Sequence, residues 1–238
     1  MYVEYHIGMS FQFSDEQIFN WMGSSVKRLR DEYKKNKKDT YKTFLNRADP
    51  FSSIVKMVSL NLDKNTVLEA RPIEKAQKTY MNYHGKQWEN LILLNEDWEV
   101  PNELLDVAKK DKSIVVEMKN RHDSVTQGKL STVYDDMEQC LTEDYDLAIY
   151  TYIVPKNEIK IDRPFTPSDA KTKEKRPVNK NIREMDGETF FNKYIFEDNN
   201  GFKDFLDQII QVSMNFSSIF SNEDNRDLIK DIRNKYNI

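Results

Sequence analysis

Three side chains within one short stretch are of the types that do chemistry together. Asp106, Glu117 and Lys119 occur in the order Asp, ten residues, Glu-x-Lys, inside NELLDVAKKDKSIVVEMKNRH beginning at Asn102. From Ser113 to Lys119, strand alternation puts Val115, Glu117 and Lys119 on one face and Ile114, Val116 and Met118 on the other. Glu117 and Lys119 then stand about 6.6 Å apart along the strand, close enough to reach one ligand. The preceding segment alternates as a second strand, with Leu105 and Val107 against Leu104, Asp106 and Ala108. Lys109 to Lys112 reads as the turn between the two, so a hairpin brings Asp106 toward Glu117.

Two carboxylates at one point repel, and ionising both requires a compensating charge. A divalent cation supplies it, and hard Mg²⁺ takes one or two carboxylates together with substrate phosphate and water. A lysine on the same face can orient or help deprotonate a water, or stabilise charge building on a phosphate. Together these groups describe hydrolysis of a phosphodiester. The plain alternative is an edge hairpin whose charges face solvent. Against it stands the run IVVEM, apolar on both sides of the strand with a glutamate set inside it.

The same residues carry a resemblance. Asp106, Glu117 and Lys119 resemble the PD-(D/E)xK nuclease motif, with Leu105 where the motif has proline and Val107 after the aspartate. Glu117-Met-Lys-Asn-Arg-His resembles the E-(I/M)-K-N-(K/R)-(H/N) run of a group of bacterial Type II restriction endonucleases. That group cuts short G/C-rich palindromes of the GG-N-CC kind. The resemblance to the nuclease core spans roughly Lys75 to Pro155. It implies an α/β, restriction-endonuclease-like core with a mixed central β-sheet flanked by α-helices. It also implies Mg²⁺ held by Asp106 and Glu117, and Lys119 assisting the attacking water or the transition state. Double-stranded DNA would be cut to 5'-phosphate ends by a homodimer matching the two-fold symmetry of a palindrome. In nucleases of this kind a glutamate on the helix before the first core strand completes the metal site. Glu89 is the candidate, its alternative being a solvent-facing helix glutamate. The resemblance also raises Asn120, Arg121 and His122 above ordinary loop residues as DNA contacts.

The chain is expected to form a single endonuclease domain over 1–238, with the basic segment 156–187 and a helical part 188–238 following the catalytic core. A mean hydropathy of -0.78 and 12% aromatic residues describe a polar surface around an aromatic-rich core. No run of about 18 apolar residues occurs, and MYVEYHIGMS lacks a basic segment followed by an apolar one. A soluble, cytoplasmic bacterial protein is therefore expected, with no membrane partner. The single cysteine, Cys140, excludes an internal disulfide and a thiolate-rich zinc site. His6, His84 and His122 are too scattered for a histidine metal centre. A formal net charge of -4 does not advertise nucleic-acid binding, but a DNA-cutting enzyme need only be locally basic.

Ser14-Asp-Glu-Gln17 is a capping box ahead of a helix that runs into Lys27 to Lys38, where seven basic residues sit against Asp31 and Glu32. That end is either a solvated helix surface or a phosphate contact, with Lys34 and Lys35 as candidates. Asp49-Pro50 opens a further helix with apolar residues from Phe51 to Leu62. Glu69 to Tyr83 reads as another, with Pro72 near its start, and Gly85 to Leu94 as one more, burying Trp88, Leu91 and Ile92. Gln127 to Leu141 is the clearest amphipathic helix, its polar side beginning with Gln127 and Lys129. The strand Asp146 to Val154 follows, so strand, helix and strand should form a parallel crossover.

From Lys156 to Arg183 the periodicity dissolves, and Lys171 to Arg183 holds six basic residues against Glu174 alone. This is either a mobile surface loop or a segment that enters a DNA groove through Lys173, Lys175, Arg176, Asn179, Lys180 and Arg183. Glu188 to Phe196 reads as a short aromatic helix or strand. Two amphipathic helices should end the chain, one through Phe202, Phe205, Leu206, Ile209 and Phe216, the other through Leu228, Ile229, Ile232 and Tyr236. The leading reading is a Type II restriction endonuclease. The alternatives are another nuclease built on the same core, in repair or mobile-element defence, and a non-catalytic DNA-binding α/β protein.

Overall fold

A computed structural model describes residues 11–37, 58–61, 63–101, 104–143, 145–155, 160–169, 171–214, 230 and 233–234. The helix expected after Asp49-Pro50 and the last helix of the chain fall largely outside these residues. The chain divides into two compact units, one formed by residues 1–19 with 88–238 and the other by residues 20–87.

The first helix, α1 (Asp15–Lys37), begins where the capping box places it. Ser14 and Gln17 exchange bonds reciprocally, the Ser14 N–H donating to Gln17 Oε1 at 2.9 Å and the Gln17 N–H to Ser14 Oγ at 3.2 Å. The second helix, α2 (Lys64–Ile92), is one continuous element where two were expected, and it passes through both Pro72 and Gly85. One glycine in a helix interior costs only about 1 kcal/mol. Burial of Gln87, Trp88, Leu91 and Ile92 just beyond Gly85 outweighs that.

Within the 20–87 unit, Gln87 is a buried polar hub. Its carbonyl accepts the Trp21 indole N–H at 2.7 Å, and its Oε1 accepts the hydroxyls of Ser24 and Ser25 at 2.9 and 3.2 Å. Arg28, from the basic stretch, lies over the Tyr83 ring at 4.2 Å. Lys35 pairs with Glu32 at 3.7 Å and is otherwise solvated.

The other unit is built on a six-stranded mixed sheet of order β1-β2-β3-β4-β6-β5. Its strands are β1 (Trp98–Glu99), β2 (Val107–Lys109), β3 (Ile114–Arg121), β4 (Leu147–Val154), β5 (Asp162–Pro164) and β6 (Ile182–Asp186). The outer pairs β1/β2, β2/β3 and β5/β6 are antiparallel, while β3/β4 and β4/β6 are parallel. Helix α3 (Gln127–Glu143) connects β3 to β4, as the parallel pairing requires. Its Tyr134, Met137 and Cys140 pack with Ala108, Val115, Ala148, Tyr150, Tyr152 and Ile182 on one face of the sheet. Val116, Met118 and Ile149 alternate to the opposite face. There the short helix α4 (Gly187–Tyr194) packs on β4 and β6. An aromatic cluster joins Phe191 to Trp88 at 5.7 Å and Trp88 to Phe205 of α5 (Gly201–Met214) at 6.4 Å. The sheet flanked by helices is the α/β core expected from the sequence. No helix among the described residues is long and apolar enough to cross a membrane.

The basic segment is more ordered than a polar loop. It contains β5, and a bridge between Ser168 and Lys175 closes a small hairpin whose tip is held by Asp169. Tyr134 donates to the Pro177 carbonyl at 2.9 Å, tying the hairpin to α3. Arg183, expected in the loop, lies in β6 and pairs with Asp162 of β5. The side chain of Asp186 fastens this end of the sheet, accepting from Thr189 N–H at 3.0 Å to cap α4 and from the Ile161 N–H at 2.5 Å.

The approach of α4 to β4 leaves no room for a side chain at Gly187, where a Cβ would sit 2.8 Å from Ile153 Cα. Replacing Gly187 with alanine should lower the urea midpoint by the equivalent of about 1–3 kcal/mol. A midpoint equal to that of the parent protein would show that α4 can shift without loss.

Candidate active site

The β2/β3 hairpin delivers the three residues that the sequence singled out. Val107 pairs with Val116 and Ala108 with Val115, so the extension of β2 sets Asp106 opposite Glu117. The turn is shorter than expected, because Lys109 belongs to β2. Lys112 takes the left-handed conformation at φ 64°, and Asp111 Oδ1 accepts the Ser113 N–H at 2.9 Å. Asp106 is fixed at both ends: its N–H donates to Val116 O at 3.0 Å, and its Oδ2 accepts the Met118 N–H at 2.8 Å. The carboxylate thus stands in for a backbone acceptor just before β2 begins.

Lys119 bridges the two acids. Its Nζ lies 3.4 Å from Asp106 Oδ2 and in direct contact with Glu117 Oε1. Only 12% of the Glu117 side chain is exposed. Burial, and then the Asp106 charge, push its carboxyl up from 4.5 to about 7, with Lys119 opposing the rise. Burial acts to lower the Lys119 ammonium, but Glu117 and Asp106 outweigh it and hold the group above its ordinary value. One ammonium therefore serves two carboxylates and leaves excess negative charge. Oxygen donors carrying such an excess suit a hard divalent cation.

Further residues of this face join the same layer. On β4, Tyr150 is in register with Glu117 and Tyr152 with Lys119; on β6, Glu184 is in register with Tyr150. Tyr152 donates to Glu184 Oε1 at 3.1 Å, and Arg163 Nε of β5 to Oε2 at 2.8 Å. Sequence reading missed this row. The alternation of LAIYTYIV already put both tyrosines on one face, but an aromatic pair two apart in a strand reads as core.

The other expected residues are placed less centrally. Glu89 is buried on α2 beside Trp88, in the turn that packs on the aromatic cluster. Among the described residues no three Asp, Glu, His or Cys side chains gather as a metal-holding group. Asn120 and Arg121 end β3, where Arg121 pairs with Asp123 at 2.9 Å. His122 lies edge-on to Tyr152 at 6.4 Å between ring centres, and its buried Nδ1 has no hydrogen-bond partner among the described residues. Gln127 opens α3, and Lys129 is exposed in its first turn. In the basic segment Lys173, Lys175 and Lys180 are exposed. Arg176 is drawn to Asp135 at 2.6 Å, and Asn179 Oδ1 accepts the Asn181 N–H at 2.9 Å. Lys34 and Lys35 lie on α1 in the 20–87 unit.

A mixed sheet flanked by helices, with Asp and Glu-x-Lys converging on the hairpin of its central strand, defines a restriction-endonuclease-like core. The family model described as Eco47II restriction endonuclease matches residues 12–217. Type II restriction enzyme Eco47II of Escherichia coli is 30% identical over 190 residues, which cover 75% of this chain and 76% of that enzyme. The chain belongs to the Eco47II restriction endonuclease family and is an enzyme of that class.

The buried Glu117 carboxyl makes stability depend on pH in a definite direction. Below about pH 4.5 it is protonated in both the folded and unfolded states. Between 4.5 and about 7 the unfolded chain ionises first and stability falls, by up to about 3 kcal/mol. Glu117→Gln removes this fall. Its stability relative to the parent should therefore climb as the pH is raised from about 5 to about 8 in urea titrations without divalent metal. A difference that stays flat across that range would contradict the assigned burial of Glu117.

Proposed function

We propose that this restriction endonuclease hydrolyses both strands of duplex DNA at a short palindrome in a Mg²⁺-dependent reaction that leaves 5'-phosphate ends. The observation that carries this reading is the convergence of Asp106, Glu117 and Lys119 at the end of the β2/β3 hairpin. Asp106 and Glu117 would hold the Mg²⁺, whose charge offsets the excess that one lysine leaves. When bound, Mg²⁺ acidifies water and stabilises charge on the departing 3'-oxygen.

The chain's own groups have distinct tasks. The Met118 N–H holds the Asp106 carboxylate aimed at the site. Lys119, held as an ammonium by its two acidic neighbours, serves as a cation for charge developing on the phosphate rather than as a base. Lys173, Lys175 and Lys180 offer exposed positive charge that would position the phosphate backbone. Lys129, at the start of α3, offers the same. Cutting both strands of a palindrome calls for two such sites related by a two-fold axis, and hence a homodimer.

Plasmid cleavage tests the metal and the trio together. EDTA, Asp106→Ala and Glu117→Ala should each reduce cleavage to background, and Lys119→Ala should reduce it by about 10²–10³-fold. Wild-type rates in EDTA, or in either carboxylate variant, would overturn the assignment. Replacing Lys173, Lys175 and Lys180 together by alanine should weaken binding to specific and random duplexes alike. It should also flatten the dependence of log K on log salt by up to about 3. An unchanged salt slope would remove these lysines from the DNA contact.

A further inference from the structure

The row across the sheet contains one donor that the resting protein does not use. Tyr150 stands in register between Glu117 of β3 and Glu184 of β6. Glu184 is already occupied, one oxygen by Tyr152 and the other by Arg163. Tyr150 is 2% exposed, and its hydroxyl has no hydrogen-bond partner among the described residues. A buried hydroxyl left unpaired is destabilising, and each such group in a folded protein calls for a reason. Phenylalanine would keep the stack on Phe165, whose ring centre lies 4.7 Å away at 16°, without that penalty.

A reason lies in what Lys119 must do. At rest its ammonium is committed to Glu117 and Asp106. Where it turns from Glu117 to meet a phosphate, that carboxyl loses its donor while remaining buried. The neighbouring donor across the strand pair is Tyr150. Burial, then the Glu117 and Glu184 charges, raise its hydroxyl above its ordinary pKa, so it keeps its proton throughout the working range. We propose that Tyr150 is a positioning residue that donates its hydroxyl hydrogen bond to Glu117 when Lys119 turns to the scissile phosphate. This rests on the roles proposed above for Glu117 and Lys119.

The test is Tyr150→Phe, with Tyr152→Phe for comparison and Glu117→Ala to check the underlying reading. Tyr150→Phe should lower kcat about tenfold while KM for DNA stays within about twofold, the pattern of an interaction made only in the transition state. Its urea midpoint should equal or exceed that of the parent, because the resting protein loses no hydrogen bond. Tyr152→Phe, which deletes an existing bond to Glu184, should lower the midpoint. A wild-type kcat in Tyr150→Phe would overturn the proposal. So would a midpoint that falls as it does in Tyr152→Phe, since that marks a structural bond. If Glu117→Ala cleaves at the wild-type rate, the role of Glu117 fails and this inference with it. If Glu117→Ala is inactive and Tyr150→Phe is unimpaired, only the inference about Tyr150 fails.

Discussion

Everything at the proposed active centre depends on a charge imbalance: one ammonium shared between two carboxylates on a largely buried hairpin. In water the imbalance would be trivial, because solvent screens it. Here burial of Glu117 makes it expensive, and the carboxyl responds by moving toward neutrality. The fold accepts this because the trio is locked from the backbone outward. The Met118 N–H holds Asp106, β3 holds Glu117 and Lys119 on one face, and β4 closes the layer with two tyrosines. A site poised between needing a proton and needing a cation is one that binding of a cation can complete.

The sheet explains why the trio can be held so closely. The central strand β3 pairs antiparallel with β2 and parallel with β4, so its backbone groups are satisfied on both sides. The face opposite the trio carries Val116, Met118 and Ile149 and is covered by α4, which closes to backbone distance at Gly187. Rigid packing behind the strand limits how far Glu117 can retreat from Asp106. Relief must then come from charge rather than from movement.

The trio of Asp106, Glu117 and Lys119 was legible in the sequence because strand periodicity is strict: one glutamate and one lysine two apart inside an apolar run can only share a face. The capping box at Ser14 and the amphipathic helix from Gln127 were legible for a similar reason, each being a local pattern. What the sequence hid was set by contacts distant along the chain. Gly85 looked like the start of a separate helix, and the burial of Gln87, Trp88, Leu91 and Ile92 is what carries one continuous helix through it. Arg183 looked like one more loop cation until β5 supplied Asp162 beside it. Tyr150 and Tyr152 were not singled out, because nothing in an aromatic alternation says that one hydroxyl has a partner and the other has none.

The same distant contacts redistribute the positive charge that the sequence concentrated between Lys171 and Arg183. The two arginines, which could have gripped guanine edges in two places at once, are engaged within the fold by Asp135 and Asp162. The lysines are left outside, and a lysine presents a point charge on a flexible stem. Such a surface is suited to following a phosphate backbone and poorly suited to telling one base from another. On the proposed function, reading the target would fall to groups nearer the trio, where Asn120 follows Lys119 directly on β3. Coupling recognition to the strand that carries the chemistry would make the wrong sequence misplace the phosphate as well as weaken binding. A displacement of about 1 Å at the reacting atoms is enough to cost about a hundredfold in rate.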